Sequence, residues 1–512
     1  MLDEYGNPTG ERRINAREWY EMFHQSPKPE RVEQKFLPDQ LPEINFQIPG
    51  KLKQAYIFIK RDVHAKLSNA QYLIINLLES PLLAFILASL ILYFETGAGG
   101  SDGYVFSQNP NLTIYIIISV IIAIFIGLSV SAEEIINDRK ILKRESFLNL
   151  SRLSYLSSKF ILLAVISAVQ TALFVLVGNS IMEIQGLGWH YWLILFSSSV
   201  FANLLGLNIS DSFKKTVNIY ILIPFLIIPQ LILSGVFVNF DQLNPKLSST
   251  KGIPWYGELI AARWAFEAIA VDQFTNNAYQ KEFYTFERIK SQATYIKDYW
   301  VPEMTNQLNK REQTTDPDEK KDIDQLIFNE LVKYKKYAST ETPVEIQMDA
   351  QSFKKQDFNG LQDHLKTLKT FYIKLFNKAD EAIEARKKEM MADKGEAYLM
   401  ELKETYFNES LERFVRRSND LFIDRLLVLE DELVQKFDPI YMIPSHPFIK
   451  AHFLAPVKNI GQKSYNTFFV NLIIIWVLNA LLFILLYMGA LKKFLTMRYT
   501  NKNSDNQISS SD

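Results

Sequence analysis

Six apolar windows interrupt an otherwise charged chain, and they constrain its fold more than any other feature. They run near Leu73–Phe94, Leu112–Val130, Phe160–Gly178, Tyr191–Ile209, Ile219–Val238 and Phe468–Leu491. A helix that crosses a bilayer needs about 20 consecutive, mostly apolar residues. The pattern therefore predicts a multi-pass helical membrane protein. The 512 residues carry a formal net charge of only −1, which gives no reason to expect nucleic-acid binding.

The loops between the windows set an expected orientation, because Lys and Arg collect on the cytoplasmic side. Glu95–Asn111 and Asn179–His190 contain neither residue. The loop after the second window carries Arg139, Lys140, Lys143, Arg144 and Arg152. Lys214 and Lys215 follow the fourth window, and Lys492, Lys493 and Arg498 follow the last. With simple alternation these clusters all fall on one side, and both termini are then cytoplasmic. The fourth window is the most polar, with Ser197, Ser198, Ser199, Asn203 and Asn208. Small and hydroxylated residues suit helix–helix contact, so this window is expected to face other helices.

Ahead of the first window, Lys51–Leu67 places Leu52, Ala55, Tyr56, Ile59 and Val63 at helical spacing between Lys and Arg. That is the pattern of a helix lying along the membrane surface. Between the fifth and sixth windows lies a long polar, helix-favouring insertion. Leu361, Leu365, Leu368, Tyr372 and Leu375 form a heptad seam in it. Leu411, Phe414, Val415, Ser418, Leu421 and Phe422 form a second stripe, and a helical hairpin or small bundle fits both. Gln313–Lys321 reads as a charged turn or linker. The prolines of Asp438–Pro456 predict an irregular connector back to the membrane. Asn501–Asp512 is expected to be disordered.

No catalytic constellation emerges. There is no cysteine, which excludes disulfides and thiolate metal sites. The six histidines form no ligand pair of metalloprotease type, so no metal site is expected. Gly6–Arg12 lacks the Lys-Ser/Thr of a phosphate loop, and no other stretch supplies one. By this reading the chain is no enzyme by itself and carries no cofactor.

Glu133–Phe160 intersperses acids and bases, as in a short, ion-paired helix suited to docking a partner of complementary charge. An ordinary basic loop with acidic counterions fits the same composition. Asp138-Arg139, Arg144-Glu145, Tyr155 and Lys159 follow the second window in that order. In this the chain resembles the permease part of ABC-2, or ABCG-like, transporters, although that family usually has Glu at the place of Asp138. LLESPLLAFILASLI (Leu77–Ile91), PQLILSGVFV (Pro229–Val238) and RWAFEA (Arg263–Ala268) resemble the same family. AHFLAPVKNIG (Ala451–Gly461) and FVNLIIIWVLNALL (Phe469–Leu482) look similar to bacterial, Bacteroidetes-like versions fused behind an ATPase.

The windows and loop charges predict an all-α integral membrane fold of six spans, with a large helical extracytoplasmic insertion between the fifth and sixth, where that family generally has only a modest loop. Its expected parts are a cytoplasmic linker (1–50), a surface helix with five spans and a re-entrant segment (51–270), the outer helical domain (271–465), the last span (466–495) and a cytoplasmic tail (496–512). The resemblance implies a transport subunit of the bacterial inner membrane, acting as a homodimer or pseudo-dimer with an ABC ATPase that holds ATP and Mg. Glu134, Asp138, Arg139, Arg144 and Glu145 would form the ATPase-docking loop. From spacing, Arg263 and Glu267 are expected to form an i,i+4 ion pair on a helix over Glu258–Ala270. Asn203, Gln230 and Asn479 are candidates for a transport path, with interhelical hydrogen bonding as their more ordinary role. The competing reading is a membrane-anchored interaction or signalling protein acting through its outer domain.

Overall fold

The computed structural model describes residues 14–26, 49–93, 96–97, 100–101, 103–145, 148, 150–244, 246–248, 252–338, 358–418, 424–444 and 446–495. The expected tail lies outside them, as do most of the expected N-terminal linker and Leu421 and Phe422 of the second stripe. Two units divide the chain at residue 49. The described part of the first is one helix, α1 (Ala16–Gln25).

The second unit is almost wholly helical. It opens with α2 (Lys51–Leu67) and continues through α3 (Ala70–Ile91), α4 (Leu112–Ser131), α5 (Glu134–Arg144), α6 (Arg152–Ile181), α7 (Gly188–Ser212), α8 (Thr216–Ile232) and α9 (Ala261–Thr275). Asn69 and Ser151 cap α3 and α6 by accepting from the Tyr72 and Ser154 amides, so each long apolar helix starts at a polar residue that satisfies its first free donors. Five described helices are long and apolar enough to cross a bilayer: α3, the helix containing α4, α6, α7, and the last helix, Thr467–Met488. The fifth window yields a shorter one. α8 has 17 residues, about 25 Å, against an apolar bilayer core of about 30 Å. Pro224 and Pro229 lie inside it. The chain turns away at Gly235, whose φ of +78° favours glycine, so Val236–Val238 lie beyond the helix.

The polar fourth window is the hub. Within its apolar stretch 83% of α7 is buried in the chain, against 17% of α3, so α7 is central and α3 peripheral. Ser197, Ser198 and Ser199 are fully buried against neighbouring helices, and α7 packs on α4, α6, α9 and the last helix. Gly127 of α4 and Gly206 of α7 make the α4–α7 crossing close. A Cβ on Gly127 would sit 2.5 Å from the Ser199 carbonyl oxygen, and one on Gly206 would sit 2.0 Å from Ser131 Oγ.

The insertion holds α10 (Gln280–Thr294), a π-helical turn (Tyr295–Trp300), α11 (Val301–Gln313), α12 (Pro317–Ala338), α13 (Phe358–Lys394), α14 (Glu396–Tyr406) and α15 (Glu409–Val415). The heptad seam is real: Leu361, Leu365, Leu368 and Tyr372 are buried with Trp300, Leu308, Ile327 and Leu331 in a separate core. The expected linker at Gln313–Lys321 shrinks to three residues, because Pro317 begins α12. The second stripe behaves differently. Leu411 and Val415 are buried in the main core with residues of α4 and α9, which anchors the insertion to the bundle rather than to itself.

Among the described residues three antiparallel two-stranded pairs add little sheet: β1 (Thr96–Gly97) with β2 (Gly100–Ser101), β3 (Leu426–Val428) with β4 (Leu433–Gln435), and β5 (Val457–Ile460) with β6 (Lys463–Asn466). The Pro-rich connector is irregular as expected. β6 runs directly into α16 (Thr467–Met488), which Asn466 caps by accepting from the Phe468 amide.

Candidate functional site

Lys159, near the start of α6, is 3% exposed, and three carboxylates surround it. Its Nζ lies 2.8 Å from Asp62 Oδ2, 2.8 Å from Asp138 Oδ2 and 3.2 Å from Glu134 Oε2. Glu134 also pairs with Lys66. Arg61 reaches Asp62 at 3.4 Å and Glu145 at 3.5 Å. The Tyr155 hydroxyl donates to Asp138 at 3.0 Å. A buried charge needs such a complete set of partners, since an unpaired one carries a desolvation penalty of several kcal/mol. Burial lowers the pKa of the Lys66 ammonium, but Glu134 and Tyr72 outweigh it and hold that ammonium more firmly protonated than usual.

The network joins three helices. Arg61, Asp62 and Lys66 come from α2, Glu134 and Asp138 from α5, and Tyr155 and Lys159 from α6. Further bonds fix α5 to the end of α7, and α6 to the ends of α7 and α16. Ser210 Oγ of α7 accepts from the Ile135 and Ile136 amides, both at 3.1 Å, and so caps α5 from outside. Arg139 donates to the Ser210 and Asp211 carbonyls at 3.1 and 2.9 Å, at the end of α7 where free acceptors collect. Arg152 bridges Asp211 and the Leu486 carbonyl of α16. Of the five residues read as a docking set, Glu134, Asp138, Arg139 and Glu145 therefore have partners within the chain, and Arg144 is exposed. The outward edge of α5 is basic: Lys140, Lys143 and Arg144.

Sequence reasoning missed Arg61, Asp62 and Lys66. The signal was present. Gln54, Phe58 and Asp62 recur every four residues and are the buried residues of α2, with the Gln54 side chain accepting from the Ser151 amide at 2.8 Å. Of the apolar stripe that drew attention instead, Leu52 (89% exposed) and Tyr56 (65%) point away, while Ala55, Ile59 and Val63 are half-buried.

A second charged cluster lies at the other end of α16. Arg263 and Glu267 of α9 are both fully buried and 3.2 Å apart. Their helix begins at Ala261 rather than Glu258, because Trp255–Leu259 forms a 3-10 turn and Ile260 is extended. Glu267 also accepts from Lys458 Nζ of β5 at 2.7 Å, from Asn471 of α16 at 2.9 Å and from the Leu454 amide at 3.1 Å. Arg263 lies 3.5 Å over the Trp264 ring. Burial drives the pKa of Lys458 down to about 8, and Glu267 recovers only part of the loss. No sequence pattern marked Lys458, since its partners lie on α9 and α16.

Residues 53–274 match the family model of the ABC-2 type transporter. The match covers less than half of the chain and makes this stretch similar to an ABC-2 type transporter membrane domain. The match starts within α2 and ends within α9. It contains every residue of the Lys159 network and the Arg263–Glu267 pair, while the helical insertion and α16 lie beyond it. This match and the five long apolar helices together point to a multi-pass membrane protein. No curated protein matches it.

Within the bundle the three path candidates make contacts between elements. Asn203 donates to Ser167 Oγ at 2.8 Å, joining α7 to α6. Gln230 of α8 accepts from the Ala262 amide at 3.1 Å, near the start of α9. Asn479 of α16 donates to the Ser197 carbonyl of α7 at 3.3 Å. His452 Nε2 is 2.7 Å from the Pro439 carbonyl, and burial lowers its pKa. No cluster of metal-ligating side chains occurs among the described residues.

Proposed function

We propose that this chain is the permease subunit of an ATP-driven exporter, in which a partner ABC ATPase holds ATP and Mg and docks on the basic edge of α5. The observation that carries this reading is the Lys159 network. It ties α5 to α2 and α6 through charges removed from water, so a displacement of α5 reaches the spans rather than dissipating in a loose loop. Support also comes from the family, whose permeases in general work with an ABC ATPase. ATP binding would favour one arrangement of the bundle over another only through a difference in contact with α5. Two copies would pair around a central path in a bacterial inner membrane. Both termini and α5 would face the cytoplasm, and the insertion with the Glu267 cluster would face outward.

The test is ATP hydrolysis by the partner ATPase reconstituted with this chain in proteoliposomes. Lys140→Glu with Arg144→Glu reverses charge on exposed side chains. It is expected to lower permease-dependent hydrolysis by about tenfold or more, since several charge contacts are lost together. Undiminished hydrolysis in a correctly inserted variant would refute the docking edge.

A further inference from the structure

The helix α1 has no counterpart in the transport reading, and all ten of its residues are exposed. Asn15 and Glu18 close a capping box at its start: the Arg17 amide donates to Asn15 Oδ1 at 2.8 Å and the Asn15 amide to Glu18 Oε2 at 3.2 Å. A capped helix is thus encoded locally. Its residues segregate sharply. Ala16, Trp19, Tyr20 and Phe23 fall at i, i+3, i+4 and i+7, which is one face. Trp19 is 62%, Tyr20 63% and Phe23 74% exposed. Arg17, Glu18, Glu21 and Gln25 occupy the other face.

We propose that α1 lies in the plane of the bilayer, with its Trp19–Tyr20–Phe23 face in the headgroup region. Three observations choose lipid over a protein groove. Trp and Tyr join an apolar ring to a polar tip, the chemistry that settles at a membrane–water boundary. The charges offer little for a protein to recognise: Glu18 serves the capping box, and Arg17 lies 3.6 Å from Glu21. The chain itself delivers the helix to lipid. About 25 residues separate α1 from α2, and even fully stretched that much chain reaches no more than about 85 Å. Covalent attachment within that reach keeps the helix beside the bilayer that holds the apolar helices, so a weak partitioning suffices. Ten residues make a helix of about 15 Å, too short to cross, so the helix lies flat. Attachment driven by aromatic burial needs no anionic lipid and survives high salt.

The chain has no cysteine, so an introduced one is unique. Full-length Ala16→Cys carries an environment-sensitive fluorophore at the centre of the aromatic face, and Glu21→Cys carries it on the opposite face. Leu82→Cys, in α3, reports whether the spans are inserted. Each is reconstituted without any ATPase in phosphatidylcholine vesicles containing lipids with a shallow quencher. Quenching at Ala16 is expected to exceed that at Glu21 by about threefold, to persist in high salt, and to fall to the Glu21 level when Trp19→Ser and Phe23→Ser are added. Equal quenching at Ala16 and Glu21 with Leu82 quenched would overturn the proposal while leaving the membrane reading intact. So would quenching that survives Trp19→Ser and Phe23→Ser, or quenching that appears only when an ATPase is added.

Discussion

Lys159 and Lys458 are both ammonium groups removed from water, but the chain holds them differently. Lys159 has three carboxylates within 3.2 Å. Replacing it with Met leaves those acids facing one another. That substitution should cost about 3–5 kcal/mol, the range for breaking a buried ion pair from one side. Adding Asp138→Asn should recover part of the loss, and thermal unfolding of the four variants of this cycle in detergent measures the coupling. Lys458 leans chiefly on Glu267, and its folded pKa falls from 10.5 to about 8. Below about pH 8 it is protonated in both folded and unfolded chains, and the folded state bears the full burial penalty. Between about pH 8 and 10.5 the unfolded chain binds more protons, so this residue's contribution to stability rises with pH and amounts to about 3 kcal/mol. The melting temperature of the native chain relative to Lys458→Met should therefore climb across that window. A flat difference would mean that the lysine is not held as described.

At the scale of elements, the crossing of α4 and α7 is set by two glycines. Gly127→Val must push its side chain into the Ser199 carbonyl and the Ala202 methyl, and a backbone carbonyl cannot swing aside as a flexible side chain can. A loss of about 3 kcal/mol or more is expected, at the upper end for overpacking, with a lower yield of folded protein. Gly188→Ala, which meets nothing within 4 Å, should melt like the native chain. Helices of this kind were legible because apolar length and helical period are local properties. The role of α7 as hub was legible too, since its serines and asparagines announce contact with other helices. The β5–β6 hairpin was not. Lys463–Asn466 is a short polar run with no alternation to betray it, and it pairs because the connector turns back at Gly461. Nor was the buried face of α2, where a polar stripe is the packed one because its partners are charges on α5 and α6. A single-chain pattern shows which side of a helix is apolar; whether lipid or protein takes that side depends on neighbours distant in sequence.

For the whole molecule, two charged clusters lie at opposite ends of the α16 helix. One end of the bundle is closed by Lys159, Arg139 and Arg152, which join α2, α5, α6, α7 and α16. At the other end the Glu267 cluster ties α9, β5 and the start of α16 together. The insertion is fastened by its own side chains as well: Asn408 Nδ2 donates to the Phe106 and Asn109 carbonyls at 2.7 and 2.9 Å, and Leu411 and Val415 enter the main core. Stitching at both ends favours movement as rigid bodies, which the proposed driving from one face would require. The most direct measurement is affinity purification of the tagged chain from its native membrane, comparing the native sequence with Lys140→Glu and Arg144→Glu. An ABC ATPase subunit should co-purify with the native chain and be lost from the double variant, with thermal unfolding unchanged. Recovery of the same ATPase in equal amount from both, or of none from either, would contradict the docking of a nucleotide-driven partner on α5.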